Sequence, residues 1–118
     1  MRFSPTRFTV TLLVGASDMA STLLALSAGG VEMNPLLRHL MSLGAVGWAL
    51  IAAENVALAL LLSPVPRSWY FRIFFTGLYI LVNIFRAVAV VNNLMIWLAG
   101  AELKPVVTLA RLLWPTRW

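Results

Sequence analysis

The sequence predicts an all-α integral membrane protein: three transmembrane helices and a short interfacial C-terminal helix, in a single domain covering residues 1–118. Three observations lead there. Hydrophobic residues make up 61% of the 118 positions and charged residues only 11%, against about 25% charged in a soluble domain. Three apolar stretches each reach the roughly 20 residues that a bilayer core demands. The nine basic residues stand singly between those stretches, with no stripe or cluster. The last point decides between partners, because a net charge of +5 and a pI near 11.2 would otherwise suggest nucleic acid. Scattered arginines between greasy runs read instead as interface anchors and topology signals. The expected partner is a lipid bilayer, with no nucleic acid. With no cysteine, disulfide, thiolate and iron–sulfur chemistry are excluded.

The first span is expected over about 8–29. Its start, Met1-Arg2-Phe3-Ser4-Pro5-Thr6-Arg7 before an apolar run, imitates a signal peptide, with Ala25-Leu26-Ser27 as a cleavage-like site. Asp18 interrupts the run and the chain begins at Met1, which favours a retained span. Gly29-Gly30 suit its end, since glycine tolerates a left-handed cap. The second span is expected over about 43–63 and contains Glu54-Asn55. Pro64-Val65-Pro66 stops it, and Arg67, Trp69 and Tyr70 suit the headgroup region. The third is expected over about 71–98 and carries Asn83, Arg86, Asn92 and Asn93. Helices are required because an open sheet would leave unpaired backbone groups in lipid. The segment 105–114 is too short to cross and is expected to lie in the interface, with Lys104, Arg111 and Arg117 near phosphates.

Three spans place Arg2, Arg7, Arg67 and Arg72 on one side, and Arg38, Lys104, Arg111 and Arg117 on the other. This is a tie. The N-terminal amine and the tight spacing of the first set favour a cytoplasmic N-terminus in a multi-pass protein of the cell (inner) membrane.

Asp18, Glu54 and Arg86 each fall near the middle of a predicted span. A charge at the centre of a lone helix costs about 2.5 to 3.5 kcal/mol on insertion scales. Such residues must face the bundle interior, a cavity or another subunit. Asp18 and Thr22 share a face of helix one, with Ser21 beside them and Gly15 below. Thr76, Asn83, Arg86 and Asn93 form a three-four stripe on helix three. Gly47 and the alanines around Glu54 permit close helix approach. The spacing therefore predicts a midplane polar layer of Asp18, Thr22, Glu54, Asn83 and Arg86, in which Arg86 pairs with Asp18, Glu54 or both. Two acids and one guanidinium leave a remainder of −1. Three readings stay open: a structural ion pair with one neutral acid, a proton or ion pathway, or contact with a cation of another subunit.

Between the first two spans lies Glu32-Met33-Asn34-Pro35. Asn34 is a good N-cap and Pro35 suits the first helical position, while Glu32 just ahead would meet a favourable dipole. A helix is expected to start near Pro35, run along the interface through Arg38 and His39, and enter the bilayer near Gly44 to Gly47. His39 reads as an interfacial polar residue, since one histidine beside one glutamate is a weak metal signal. Asp18 and Glu32 stand roughly 20 Å apart at 1.5 Å per helical residue, too far for one catalytic pair.

The stretch Asp18-Met19-Ala20-Ser21-Thr22, a glycine-containing turn, then Glu32-Met33-Asn34-Pro35, resembles a domain-of-unknown-function family of small bacterial and archaeal membrane proteins. That family is marked by D-x-x-x-T within helix one and E-x-N-P at its exit. The resemblance covers about residues 15 to 37. It implies a helical membrane fold of about this size and brings no established activity. It carries Asp18, Thr22, Glu32, Asn34 and Pro35 over as positions of interest, and leaves Glu54 as a site of expected variation.

No P-loop, H-E-x-x-H or G-x-S-x-G motif is present. No enzyme activity, catalytic residue, cofactor or metal site is expected. The leading functional expectation is a structural or accessory subunit whose polar layer docks other transmembrane helices, in a larger membrane complex or a homo-oligomer. The alternative is a homo-oligomeric proton- or cation-coupled transporter or channel using Asp18 and Glu54.

Overall fold

The structure is a computed structural model that describes residues 1–30, 34–100, 108 and 111–113. Glu32, and the interfacial helix expected over 105–114 apart from those last few positions, lie outside the described residues. In chain order the elements are β1 (Arg2–Phe3), α1 (Pro5–Ser27), α2 (Pro35–Ser42), α3 (Ala45–Leu62), β2 (Pro64–Val65) and α4 (Trp69–Ala99). Three of these, α1, α3 and α4, are long and apolar enough to cross a membrane.

Local chemistry sets each boundary. Ser4 caps α1, its Oγ accepting from the Arg7 amide at 3.2 Å, and Pro5 follows at the first turn where no amide hydrogen is needed. The helix therefore begins three residues before the apolar run does. It stops after Ser27, where Gly29 turns to φ +91°, a conformation open to glycine at little cost. Asn34 Oδ1 accepts from the Leu36 amide at 3.0 Å and Pro35 opens α2. Asn34→Ala should therefore fray α2 by about 1 kcal/mol. Amide exchange over Leu36 to Met41 should quicken while α1, α3 and α4 keep their protection; unchanged exchange in α2 would contradict this role for the cap.

The helix that starts at Pro35 does not continue into the second span, which corrects the expectation of one helix entering near Gly44 to Gly47. It ends at Ser42, and Gly44, at φ +70°, breaks the chain before α3. The eight-residue α2 then folds back along α3. Contact is close because Gly47 lacks a side chain: a Cβ there would run into the Leu40 carbonyl.

A second correction to the all-helical expectation is small. Arg2–Phe3 and Pro64–Val65 form an antiparallel two-residue ribbon, Arg2 opposite Val65 and Phe3 opposite Pro64. The Ser4 amide extends it by donating to the Ser63 carbonyl at 3.0 Å. Proline lacks an amide hydrogen, so a strand starting with Pro64 is confined to an edge. The ribbon fastens the entry of α1 to the α3–α4 connection. α4 then runs 31 residues to Gly100, whose φ of +63° closes the helix with its amide on the Ile96 carbonyl.

α1 is the central helix. It packs along α4 on one side and α3 on the other, while α3 and α4 scarcely meet. The small, polar face of α1 turns inward, with Thr11, Gly15, Ser21 and Ala25 buried. Among the described residues the buried polar positions are Thr11, Ser21, Asn55, Ser63, Asn83 and Asn92, against only Ala25, Ile51, Ala59 and Leu62 of hydrophobic type. Outside, Leu13, Leu61, Phe71, Ile73, Phe74 and Leu98 are all more than 60% exposed. Polar inside and apolar outside inverts the arrangement of a protein built for water.

Candidate functional site

The inward polar groups form a seam between α1 and α4. Arg7 Nη2 donates to Thr76 Oγ1 at 2.8 Å, and its guanidinium lies over the Tyr79 ring, 5.3 Å from the centroid. One level further, Asn83 Nδ2 donates to Thr11 Oγ1 at 3.1 Å. Further still, Asn93 Nδ2 reaches both Ser21 Oγ (3.2 Å) and Thr22 Oγ1 (3.1 Å). Partners are separated by 69, 72, 72 and 71 residues in sequence. An offset this constant means that α1 and α4 run parallel and in register over the whole seam. Side-chain amides and hydroxyls suit such a contact because small polar groups permit close approach and satisfy one another across it.

Midway along, α3 joins. Asn55 Nδ2 donates to the Gly15 carbonyl at 3.4 Å. Arg86 Nη2 from α4 donates to both Glu54 oxygens, Oε1 at 3.1 Å and Oε2 at 3.3 Å. The other guanidinium nitrogen, Nη1, lies against Gly15: a Cβ there would stand 2.7 Å from it and 3.0 Å from Asn55 Cγ. Gly15 is thus required for the guanidinium and the Asn55 amide to approach the α1 backbone together. Nη1 is buried with no hydrogen-bond partner among the described residues. The two ends of the ion pair differ in environment. The Arg86 side chain is 14% exposed and the Glu54 side chain 53%, so the guanidinium is an interior group and the carboxylate opens onto the molecular surface.

Asp18 stands just under one turn beyond Gly15. With Thr22, Trp48, Glu54, Asn55 and Arg86 it lines a cavity of about 40 Å³, which α2 covers with Leu37 and Met41. That volume holds roughly two or three waters. Four of the five polar-layer residues thus meet around one cavity: Asp18, Thr22, Glu54 and Arg86. Asn83 sits beside them in the seam, bonded to Thr11. Of the hairpin residues, Asn34 and Pro35 start α2, and Glu32 is outside the described residues. His39 is exposed on α2. Among the described residues no three acids or histidines gather to hold a metal ion.

Sequence reasoning passed over Thr11, Arg7 and the specific part of Asn55. Thr11 was detectable, since Thr11, Gly15, Asp18, Thr22 and Ala25 repeat at three-four spacing along α1. Asn55 shares its buried face with Ile51, Ala59 and Leu62, again at helical spacing. Arg7 looked like an interface anchor, and nothing in its neighbourhood announced Thr76.

The Glu54–Arg86 ion pair, with Asp18 lining the same small cavity, can fix helix packing, hold a few waters or accept a proton. Together, fold and site define a class: a small helical protein with three membrane-length helices, joined through a polar seam and an off-centre ion pair. Within that class the chain belongs to the family described as Domain of unknown function (DUF5658), whose model matches residues 9–100. The match begins within α1 and ends at the glycine that closes α4, so it takes in all four helices apart from the first turn of α1. No curated protein matches the chain. No solved structure matches it.

Proposed function

We propose that the chain is a multi-pass integral membrane protein, inserted through α1, α3 and α4, that serves as a structural or accessory subunit docking other transmembrane helices. The observation that carries this reading is the half-exposed Glu54 carboxylate in the middle of an 18-residue apolar helix. In a bilayer, an outward-opening carboxylate at that depth is costly unless protein or water covers it. The α3 face beside it is built for cover. Ala45, Ala49, Ala53 and Ala57 are all exposed and recur every four residues, on the side away from the buried Ile51, Asn55, Ala59 and Leu62. Small residues at that spacing let a second helix backbone come close. Insertion in the cell membrane with a cytoplasmic N-terminus belongs to the same proposal, supported by the apolar exterior and by Arg2, Arg7, Arg67 and Arg72 falling at the N-terminal end of α1 and the α3–α4 connection.

The cysteine-free sequence provides a direct test. A photo-crosslinker attached at Ala53→Cys should capture protein in intact membranes, whereas one at Ile84→Cys, on the outward apolar face of α4, should capture mainly lipid. Equal lipid-only labelling at both positions would refute docking through α3.

The second reading, proton- or cation-coupled transport, is favoured by one observation: Asp18, Glu54 and Arg86 line the same cavity. It predicts pH-dependent flux in reconstituted vesicles that Asp18→Asn and Glu54→Gln abolish while the fold survives. The docking reading predicts no flux in the unmodified protein.

A further inference from the structure

One end of the molecule collects arginines, and the β1–β2 ribbon is what brings the first of them there. Arg2 pairs with Val65, two residues before Arg67. Arg72 reaches back from the first turn of α4, its Nε and Nη2 donating to the Pro66 (3.3 Å) and Arg67 (3.1 Å) carbonyls. Its guanidinium is thereby fixed on the loop from which Arg67 projects. Arg2, Arg67 and Arg72 are all exposed. Residues 1–17 and 63–82 contain no aspartate or glutamate, so nothing in either segment neutralises them. Gathered like charges call for a counter-anion.

The surroundings specify what kind of anion. Trp69 and Tyr70 stack at 3.9 Å and are 60% and 68% exposed, and Phe3 on the ribbon and Phe71 in the first turn of α4 are exposed as well. Rings with one apolar and one polar side belong at the level of lipid headgroups. Below them begin the apolar faces of α1 and α4. A soluble anion would use the arginines and leave the exposed rings without a role. A phospholipid engages both.

We propose that this end of the molecule binds anionic phospholipid headgroups, with phosphates against Arg2, Arg67 and Arg72 and the Trp69 and Tyr70 rings at the boundary with the acyl chains. The assignment rests on insertion of α1, α3 and α4 in a bilayer. The test uses the full chain reconstituted in equal parts of phosphatidylcholine and phosphatidylglycerol, released in mild detergent, with retained lipids counted by native mass spectrometry. Phosphatidylglycerol should be retained in preference. Each arginine near an anionic surface corresponds to roughly a fivefold change in binding, so Arg2→Gln/Arg67→Gln should weaken that preference roughly 25-fold. Neither side chain makes a hydrogen bond or ion pair among the described residues, and Arg2→Lys/Arg67→Lys should keep most of the preference. Equal retention of both lipids by the unmodified protein, or an unchanged preference in the double glutamine variant, overturns the proposal. Complete displacement of phosphatidylglycerol by millimolar inorganic phosphate overturns it in favour of a free anion. A chain that resists alkaline carbonate extraction yet shows no preference overturns this proposal alone. A chain stripped by carbonate overturns the membrane reading, and this proposal with it.

Discussion

Arg86→Leu is expected to destabilise the protein by on the order of 3 kcal/mol, because it leaves the Glu54 carboxylate in an apolar helix without a partner. Removing one member of a desolvated ion pair costs about 3–5 kcal/mol in general; the lower end applies because Glu54 opens to the surface. Three contacts go together: both hydrogen bonds to Glu54 and the packing of the guanidinium over Gly15. The cause is separable from lost volume. Glu54→Leu alone leaves an unpaired guanidinium and should also destabilise. Arg86→Leu/Glu54→Leu removes both charges, and buried pairs replaced by apolar groups are often neutral. The double variant should therefore be more stable than either single one. Reversible unfolding in mixed detergent micelles measures all four proteins. Additive losses in the double variant would show that the two side chains act independently and that the pair does not hold α3 to α4.

Gly47→Val should have an effect of comparable size by a different route. The added side chain meets the Leu40 carbonyl of α2, a backbone group that cannot swing aside. Either α2 detaches from α3 or the start of α3 moves, at a cost of roughly 2–3 kcal/mol, in the range for overpacking. Detachment also removes Leu37 and Met41 from the cavity beside Asp18 and Glu54. Amides of Leu36 to Met41 should then exchange freely, and the thermal midpoint should drop. Gly77 supplies the control, since among the described residues nothing lies within 4 Å of the position its Cβ would take. Gly77→Ala should leave both readouts unchanged. Full protection of α2 in Gly47→Val would mean that the close contact between the two helices is not what seats it.

Much of the helical framework was legible because long apolar runs carry a strong signal. Three helices of membrane-crossing length followed from composition, expected over about 8–29, 43–63 and 71–98 and found at Pro5–Ser27, Ala45–Leu62 and Trp69–Ala99, and the α2 start followed from the chemistry of Asn34 and Pro35. What escaped was set by tertiary contact. The ribbon of Arg2–Phe3 with Pro64–Val65 is too short for any alternation of polar and apolar residues to reveal a strand. The break at Gly44 separates α2 from α3, where hydrophobicity alone made one segment, because the φ of +70° becomes useful only once Gly47 lets α2 lie back against α3.

The site divides in the same way. Arg86, Asn83 and Asn93 stood out because each is polar in an apolar helix, and their three-four spacing put them on one face. Which acid Arg86 meets was beyond the sequence: Asp18 and Glu54 sit at similar depth, and the choice depends on Gly15, whose missing side chain lets the guanidinium lie against the α1 backbone and reach α3. Glu54, the acid left in most doubt by motif resemblance, is the one that Arg86 bonds. Thr11 could be placed on the inward face by its three-four spacing with Gly15 and Asp18, but its partner, Asn83 across the seam, could not.

The outward-opening Glu54 and the exposed Ala45, Ala49, Ala53 and Ala57 give the docking account its most exposed claim: that this face of α3 is covered in the membrane. The most direct measurement is the mass of the particle released from native membranes in lipid-retaining discs, for the unmodified chain and for Ala49→Leu/Ala53→Leu. The account predicts a particle containing at least one further transmembrane chain beside this 13.0 kDa one, and its reduction to the single chain in the double leucine variant with helicity retained. Release of the unmodified protein as a lone 13.0 kDa chain would contradict it.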